Sequence, residues 1–176
     1  MEAILLSDVT AGPQRAPTVA GLSLEVHQGE TAVVPGLSRD AQDLVPRLTL
    51  GLEKPRSGII RVFGIDVHLA SPGALQGIRR RISYVPAGGQ MISNLNLLDN
   101  VVLPLRYHRL MEEQALLAAA HGALEEHGLG GCLGLRPHEL NPSQKRVASL
   151  VRGTLMRPDV VVLVDPFAGV DQESAK

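Results

Sequence analysis

Arg157-Pro158-Asp159-Val160-Val161-Val162-Leu163-Val164-Asp165 passes from a helix-breaking proline into an apolar run and ends on a carboxylate. The run is rich in β-branched residues and apolar on both faces, the pattern of a strand buried inside a parallel sheet. Toward the N-terminus, Ser143–Met156 reads as a helix stopped by Pro158. Glu112–His127 is the clearest helix, Ala- and Leu-rich, with Gly128 as its stop. Ile82–Val85 is a strand entering a Gly88-Gly89 loop, and Ser71-Pro72 marks a helix start because proline is tolerated in a first turn. Ile59–Phe63 is a further strand, behind the breakers Pro55 and Gly58. Apolar residues at Ala41, Leu44, Val45, Leu48 and Leu52 predict a helix, and Thr31–Val34 a short strand running into Pro35-Gly36. Glu2–Val9 and Leu22–Val26 are strands separated by a loop at Ala11-Gly12-Pro13. Strands alternating with helices predict an α/β domain with a parallel sheet. No internal repeat, low-complexity segment or linker divides the 176 residues, which read as a single domain.

Composition excludes several functions. Hydrophobic residues make up 44% of the chain, enough for a core and too many for wholesale disorder. Seventeen Lys+Arg against 18 Asp+Glu leave a net charge of -1, with no surplus to hold a nucleic-acid backbone. Aromatics are 2%, which removes base-stacking platforms. One cysteine, Cys132, makes neither an internal disulfide nor a thiolate metal cluster, which fits a reducing compartment. No apolar run approaches the length of a membrane span, and Met1-Glu2-Ala3 does not open a signal peptide. The expectation is a soluble protein, or a soluble subunit of something larger.

Several stretches then fall in a telling order. Gly51-Leu52-Glu53-Lys54-Pro55 and Ser57-Gly58-Ile59-Ile60-Arg61-Val62-Phe63-Gly64 come first, followed by Arg80-Arg81-Ile82-Ser83-Tyr84-Val85. Leu95 to Leu105 (LNLLDNVVLPL), Glu139-Leu140, and Arg157-Pro158-Asp159 leading to Asp165-Pro166-Phe167-Ala168-Gly169-Val170-Asp171 complete the set. Together they resemble the ATP-binding cassette (ABC) ATPases. The matching landmarks are the segment after the first helix, the approach to the glutamine loop, "LTVxENVxLPL", the start of the signature, and the Walker B strand with its D-loop. The LDNVVLPLR stretch and Asp-Pro-Phe-Ala-Gly most resemble the ATPases of Mla/Mce-type lipid transporters.

The resemblance covers nearly the whole chain. It implies a P-loop NTPase-like fold with an N-terminal antiparallel β region, a parallel core sheet and a helical subdomain over about residues 88–156. It also implies ATP and Mg²⁺ as cofactors. The implied partners are a membrane permease subunit and a second ABC ATPase subunit, in a hetero- or homodimer. The implied place is cytoplasmic, peripheral on the inner face of the cell membrane. The family's switch histidine belongs to a later strand than any in these residues. A cassette truncated at its C-terminus is therefore expected, as a fragment or as a naturally shortened gene.

Against the family's pattern, the chemistry is missing where it is needed. A working P-loop, G-x-x-x-x-G-K-[ST], uses glycines to wrap backbone N–H groups around phosphate, lysine to neutralise the β/γ charge, and a hydroxyl for Mg²⁺. Aligned on Gly51-Leu52, this chain has Gly36-Leu37-Ser38-Arg39-Asp40-Ala41-Gln42-Asp43. Ala41 stands for the second glycine, Gln42 for the lysine and Asp43 for the hydroxyl, and Asp40 adds a second carboxylate. The adenine-stacking aromatic aligns near Ala11, with no aromatic nearby in sequence. The glutamine-loop position aligns with Ala87, with Gln90 close by. The signature L-S-G-G-Q becomes Leu140-Asn141-Pro142-Ser143-Gln144, and Pro142 has no N–H to donate. Counted without a gap from Pro158-Asp159, Val164 takes the Walker B aspartate position and Asp165 the catalytic glutamate position. The other register makes Asp165 the metal-orienting aspartate and deletes the glutamate. Asp171 matches the D-loop aspartate. Binding of ATP and Mg²⁺ is expected to be weak or absent.

Other features read as structural. Arg79-Arg80-Arg81 is a solvated helix end rather than a lipid-headgroup patch. His121 and His127 lack the i, i+4 spacing of a helical metal pair, and no metal site of the chain's own is expected. The glycines 128, 130, 131 and 134 follow a helix, which rejects a dinucleotide loop. Cys132 is a small buried residue. Met91, Leu95 and Leu98 fall where the family receives a permease, though a core role serves them equally well. The functional expectation is a degenerate cassette subunit of a transporter, pairing with an ATPase and docking a permease. The alternatives are an active ATPase using Arg39, Gln90 and Asp165, and a non-transport interaction module or decaying gene product.

Overall fold

The computed structural model describes residues 1–108 and 111–166, and the chain divides into two compact units, Met1–Ile82 and Ser83–Lys176.

In the first unit, β1 (Glu2–Ala11), β2 (Val19–His27), β3 (Ser57–Val62) and β4 (Ile65–Asp66) form an antiparallel sheet in the order β2-β1-β3-β4. β1 buries Ile4 and Leu6 in its first half but Val9 and Ala11 in its second, a change of parity. A period of two cannot supply this alone. A bulge at Ser7-Asp8, with Asp8 at φ 50, inserts the extra residue and returns both halves to the core face. Gly58 lies against that bulge at φ +91, where a Cβ would stand 2.4 Å from the Asp8 carbonyl oxygen.

Two helices complete this unit, α1 (Arg39–Thr49) and α2 (Pro72–Arg81). As the sequence predicts, Ser71 caps α2 with Pro72 in the first turn. Arg79 donates from Nε to the Leu50 carbonyl at 2.9 Å and from Nη2 to the Gly51 carbonyl at 3.1 Å, satisfying acceptors at the end of α1. The Arg81 guanidinium stacks 3.7 Å from the centre of the Phe63 ring. Two of the three consecutive arginines thus have structural partners within the unit.

The strand predicted at Thr31–Val34 does not form. These residues lie outside every strand, and Val33 is 82% exposed. Four residues with suitable propensity but no paired neighbour among the described strands do not make a ladder.

In the second unit, α3 (Leu97–His108), α4 (Glu113–Glu126) and α5 (Pro142–Thr154) lie between β5 (Ile82–Val85) and β6 (Val160–Leu163), which pair as a two-stranded sheet. Val101 and Leu105 of α3, Leu116, Ala120 and Leu124 of α4, and Ala148 and Val151 of α5 form one apolar cluster. Helix α3 carries Pro104 and is not predicted by the sequence as a helix. Asn100, fully buried within it, accepts from the Ile92 N–H at 2.8 Å and donates to the carbonyls of Ile92, Leu95 and Asn96. Arg106 bridges Asp99 and Glu113, tying α3 to α4, and hydrogen bonds to these carboxylates hold its guanidinium above the usual range. Helix α4 has Glu112 at its N-cap and His127 at its C-cap, followed by Gly128 at φ 73, as predicted. Gly130–Cys132 is a single 3₁₀ turn, and Cys132 packs half-buried against the helical core.

The strand expected to be buried on both faces is half-exposed. Val161 and Leu163 of β6 are 39% and 43% exposed, because among the described strands β6 has β5 as its one neighbour. Asp171, expected at the D-loop, lies outside the described residues.

Two glycines should respond oppositely to alanine. Gly58→Ala meets a positive φ and a backbone oxygen, and should destabilise by about 2 kcal/mol or more. Gly77→Ala, inside α2 with nothing within 4 Å of the new Cβ, should stabilise by roughly 0.5–1 kcal/mol. Urea unfolding midpoints of the two variants against wild type check both signs.

Candidate functional site

The P-loop-like segment enters α1 through Gly36, whose φ of 77 is the left-handed backbone that favours glycine. Ser38 is the N-cap of the helix, with φ -60 and ψ 159, and its Oγ accepts from the Ala41 N–H at 3.2 Å. The Gln42 N–H bonds to the Ser38 carbonyl at 2.9 Å. The Gln42 side chain, where the family's pattern has lysine, turns back and donates from Nε2 to the Leu37 carbonyl at 3.2 Å. Ala41 is buried, while Arg39, Asp40 and Asp43 are exposed and Asp40 sits in the first turn of the helix. A carboxylate there already occupies the positive end of the helix dipole.

Beside this segment lies an open cavity of about 650 Å³, lined by residues 18–23 of β2 and the loop before it, and by Gly36, Leu37, Ser38 and Ala41. Its lining contains neither lysine nor arginine, and no carboxylate. A triphosphate entering it would meet no positive side chain on the walls. Ala11, aligned with the adenine-stacking position, is a buried residue of β1 paired with Val19.

The other predicted positions belong to the second unit. Asn141 caps α5, and its Oδ1 accepts from the Gln144 N–H at 2.8 Å. The Gln144 Oε1 accepts from the Asn141 N–H at 2.9 Å, closing a reciprocal capping box. Gln144 also donates to the Cys132 sulfur at 3.5 Å. Pro142 brings no donor, so of the predicted signature residues only Ser143 keeps an N–H outside the box.

The glutamine-loop position, Ala87 and Gln90, turns through Gly88 and Gly89, both at positive φ. The Gln90 side chain is exposed, and its main-chain carbonyl accepts from Arg152 Nη2 at 2.7 Å. At the end of β6, Val164 is buried and donates its N–H to the Val85 carbonyl at 3.0 Å. Asp165 follows at φ 43 with its side chain exposed, and its carbonyl accepts a hydrogen bond from Arg146. Arg146, 0% exposed, also donates to the Pro86 carbonyl at 2.7 Å. The second unit therefore brings the loop after β5, the end of β6 and helix α5, where the glutamine-loop, Walker B and signature positions were expected, together through arginines that sequence reasoning did not single out. The available signal was Arg146 and Arg152 six residues apart on a helix whose Ala148 and Val151 are core residues. Met91 and Leu98 pack partly buried against the helical cluster, and Leu95 is half-buried beside them in sequence.

No family model matches the chain. The ATP-binding protein MlaF of the intermembrane phospholipid transport system, from Escherichia coli (strain K12), is 31% identical over 150 residues, covering 85% of this chain and 56% of MlaF. The lipoprotein-releasing system ATP-binding protein LolD of Pseudomonas syringae pv. tomato is 27% identical over 166 residues, covering 94% of this chain and 73% of LolD. The chain thus spans little more than half the length of the first of these relatives. Among solved structures, the ATP-binding cassette MJ0796, a dimer in a post-hydrolysis state bound to ADP and Pi, superposes with a TM-score of 0.86 at 21% identity, over 97% of this chain and 77% of that one. No helix among the described residues is long and apolar enough to cross a membrane.

Removal of the α1 cap gives a direct check on its role. Ser38→Ala should cost about 1 kcal/mol, whereas Ser38→Gly should cost only a few tenths, because glycine leaves the N-cap backbone accessible to water. Denaturant titration of both variants measures the difference.

Proposed function

Because this chain is a homologue of ABC transporter ATP-binding proteins and carries their cassette fold, we propose that it serves as a cassette subunit of a membrane transporter in which ATP hydrolysis has been lost. One observation carries the reading: the helix start that should receive the nucleotide's phosphates is capped by its own Ser38 and followed by Asp40. Helix N-termini bind phosphate through free N–H groups and a positive dipole end; here Ser38 takes the Ala41 N–H and Asp40 places a carboxylate at the positive end. The Gln42 side chain supplies no charge in place of lysine and is itself spent on the Leu37 carbonyl. The signature position repeats the arrangement, with Asn141 and Gln144 capping each other and Pro142 lacking a donor. Of the two Walker B carboxylates one is absent in either register, Val164 standing at the aspartate position in the ungapped one and the glutamate being deleted in the other.

The role that remains is structural. The chain pairs with a second ATPase subunit and docks a permease at the inner face of the membrane. Met91, Leu95 and Leu98 are the docking segment, shaped by the hydrogen bonds of Asn100. Asp165 and Asp171 are relics of the catalytic and D-loop positions. The two compact units together make the cassette, with residues 88–156 as its helical subdomain. Lipid is the proposed cargo class, by similarity to a relative named for phospholipid transport.

Calorimetry with Mg-ATP tests the reading, with wild type beside the triple variant Ala41→Gly, Gln42→Lys, Asp43→Thr that restores the P-loop pattern. Wild type should give no heat of binding up to about millimolar ATP, and the variant should bind. Micromolar binding by wild type would sink the proposal and favour an active ATPase built on Arg39, Gln90 and Asp165.

A further inference from the structure

We propose that α5 latches the loop 86–90 in one position without nucleotide, by the guanidinium of Arg146 at one end of the loop and that of Arg152 at the other. The latch rests on the reading of the chain as a pseudo-ATPase, for which it supplies what a bound nucleotide no longer can: a fixed loop. Arg146 is fully buried and donates to the Pro86 carbonyl at 2.7 Å and to the Asp165 carbonyl, while its Nε finds no acceptor. Six residues further along α5, Arg152 donates to the Gln90 carbonyl at 2.7 Å and to the Ser149 hydroxyl at 3.4 Å. Between these anchors Gly89 lies so close to the helix that a Cβ would stand 2.5 Å from the Lys145 carbonyl oxygen.

The electrostatics make the latch one-sided. The acceptors around the two guanidiniums are the Pro86, Asp165 and Gln90 carbonyls and the Ser149 hydroxyl, neutral dipoles that compensate one fully buried and one half-buried cation. Burial already holds the Arg152 guanidinium below its usual range. If the loop swung away, Arg146 would lose an acceptor while its charge stayed buried, the costlier half of any broken polar pair. Asp165 sits in the left-handed region, a conformation that persists when its surroundings over-determine it, and its carbonyl is the second acceptor of Arg146. The next segment is pinned in turn by Asn100, which holds Ile92, Leu95 and Asn96. Latch and pin together keep the proposed docking segment in one shape whether or not nucleotide is present.

Hydrogen exchange read by mass spectrometry on the full chain, with and without Mg-ATP, tests this. In wild type the amides of residues 87–92 should be protected to the same degree in both conditions. Arg146→Met should speed their exchange about tenfold or more, the effect of one lost charge-assisted hydrogen bond on a local opening, while α3 and α4 keep their protection. Gly89→Ala should open the same loop without removing a buried charge, and it carries the test if Arg146→Met does not fold. The latch is overturned if wild-type residues 87–92 exchange as freely as the exposed loop 13–17, if protection develops only with Mg-ATP, or if the folded variants leave it unchanged. Calorimetry on the same samples separates the two proposals. A protected loop in a chain that binds ATP keeps the latch and removes the pseudo-ATPase reading, and an unprotected loop in a chain that does not bind ATP does the reverse.

Discussion

A helix begins with backbone N–H groups that must find an acceptor, and what they find decides what the helix can hold. In this chain the two helix starts that the proposed function assigns to phosphate binding cap themselves in part: Ser38 takes the Ala41 N–H of α1, and Asn141 with Gln144 close a capping box on α5. A capped N-terminus is stable alone and gains less from an anion than an open one. The substitutions around each cap point the same way, since Asp40 adds negative charge to the first turn of α1 and Pro142 deletes a donor from that of α5. Local stability and phosphate affinity compete for the same hydrogen-bonding groups, and both starts are resolved toward stability.

Inside the second unit the organising element is a cation rather than an apolar residue. Arg146 is the largest fully buried side chain of the chain's described residues, and it reaches the loop after β5 and the end of β6 from a single position on α5. A buried arginine without a carboxylate is expensive, and it is tolerated where several carbonyls converge on it. That requirement fixes geometry: the loop must turn tightly enough to present Pro86, which Gly88 and Gly89 permit, and Asp165 must present its carbonyl from a left-handed backbone. Asp165 is thereby used for its main chain.

Much of this was legible in the sequence. The caps at Ser71 and Gly128, the long helix at Glu113–Glu126 and the strands β1 and β3 follow from local chemistry that tertiary context does not overrule. Other features depend on partners distant in sequence. Thr31–Val34 has strand propensity but no described neighbour, and β6 has an apolar run whose alternate residues stay exposed. The parity change in β1 shows only once Gly58 and β2 fix the bulge beside Asp8. Helix α3 is obscured by Pro104 and by Asn100, which reads as a turn residue until its four hydrogen bonds are counted. Arg146 looks like any helical arginine, because nothing local says that its acceptors lie far away in the chain.

The position of the losses bears on what a partner could restore. In the ABC arrangement each ATP lies between one subunit's P-loop and the other's signature, so a chain altered in one motif alone leaves one shared site intact. Under the proposed function this chain departs from the pattern in both, at Ala41-Gln42-Asp43 and at Asn141-Pro142-Ser143. An intact second subunit would therefore meet a substituted signature across its own P-loop, and a substituted P-loop across its own signature. Under the proposed function neither site is rescued by pairing, so what the chain contributes to a complex must be shape rather than turnover. A shape-giving subunit needs surfaces that do not depend on ligand, and self-capped helix starts with an arginine-held loop would provide them.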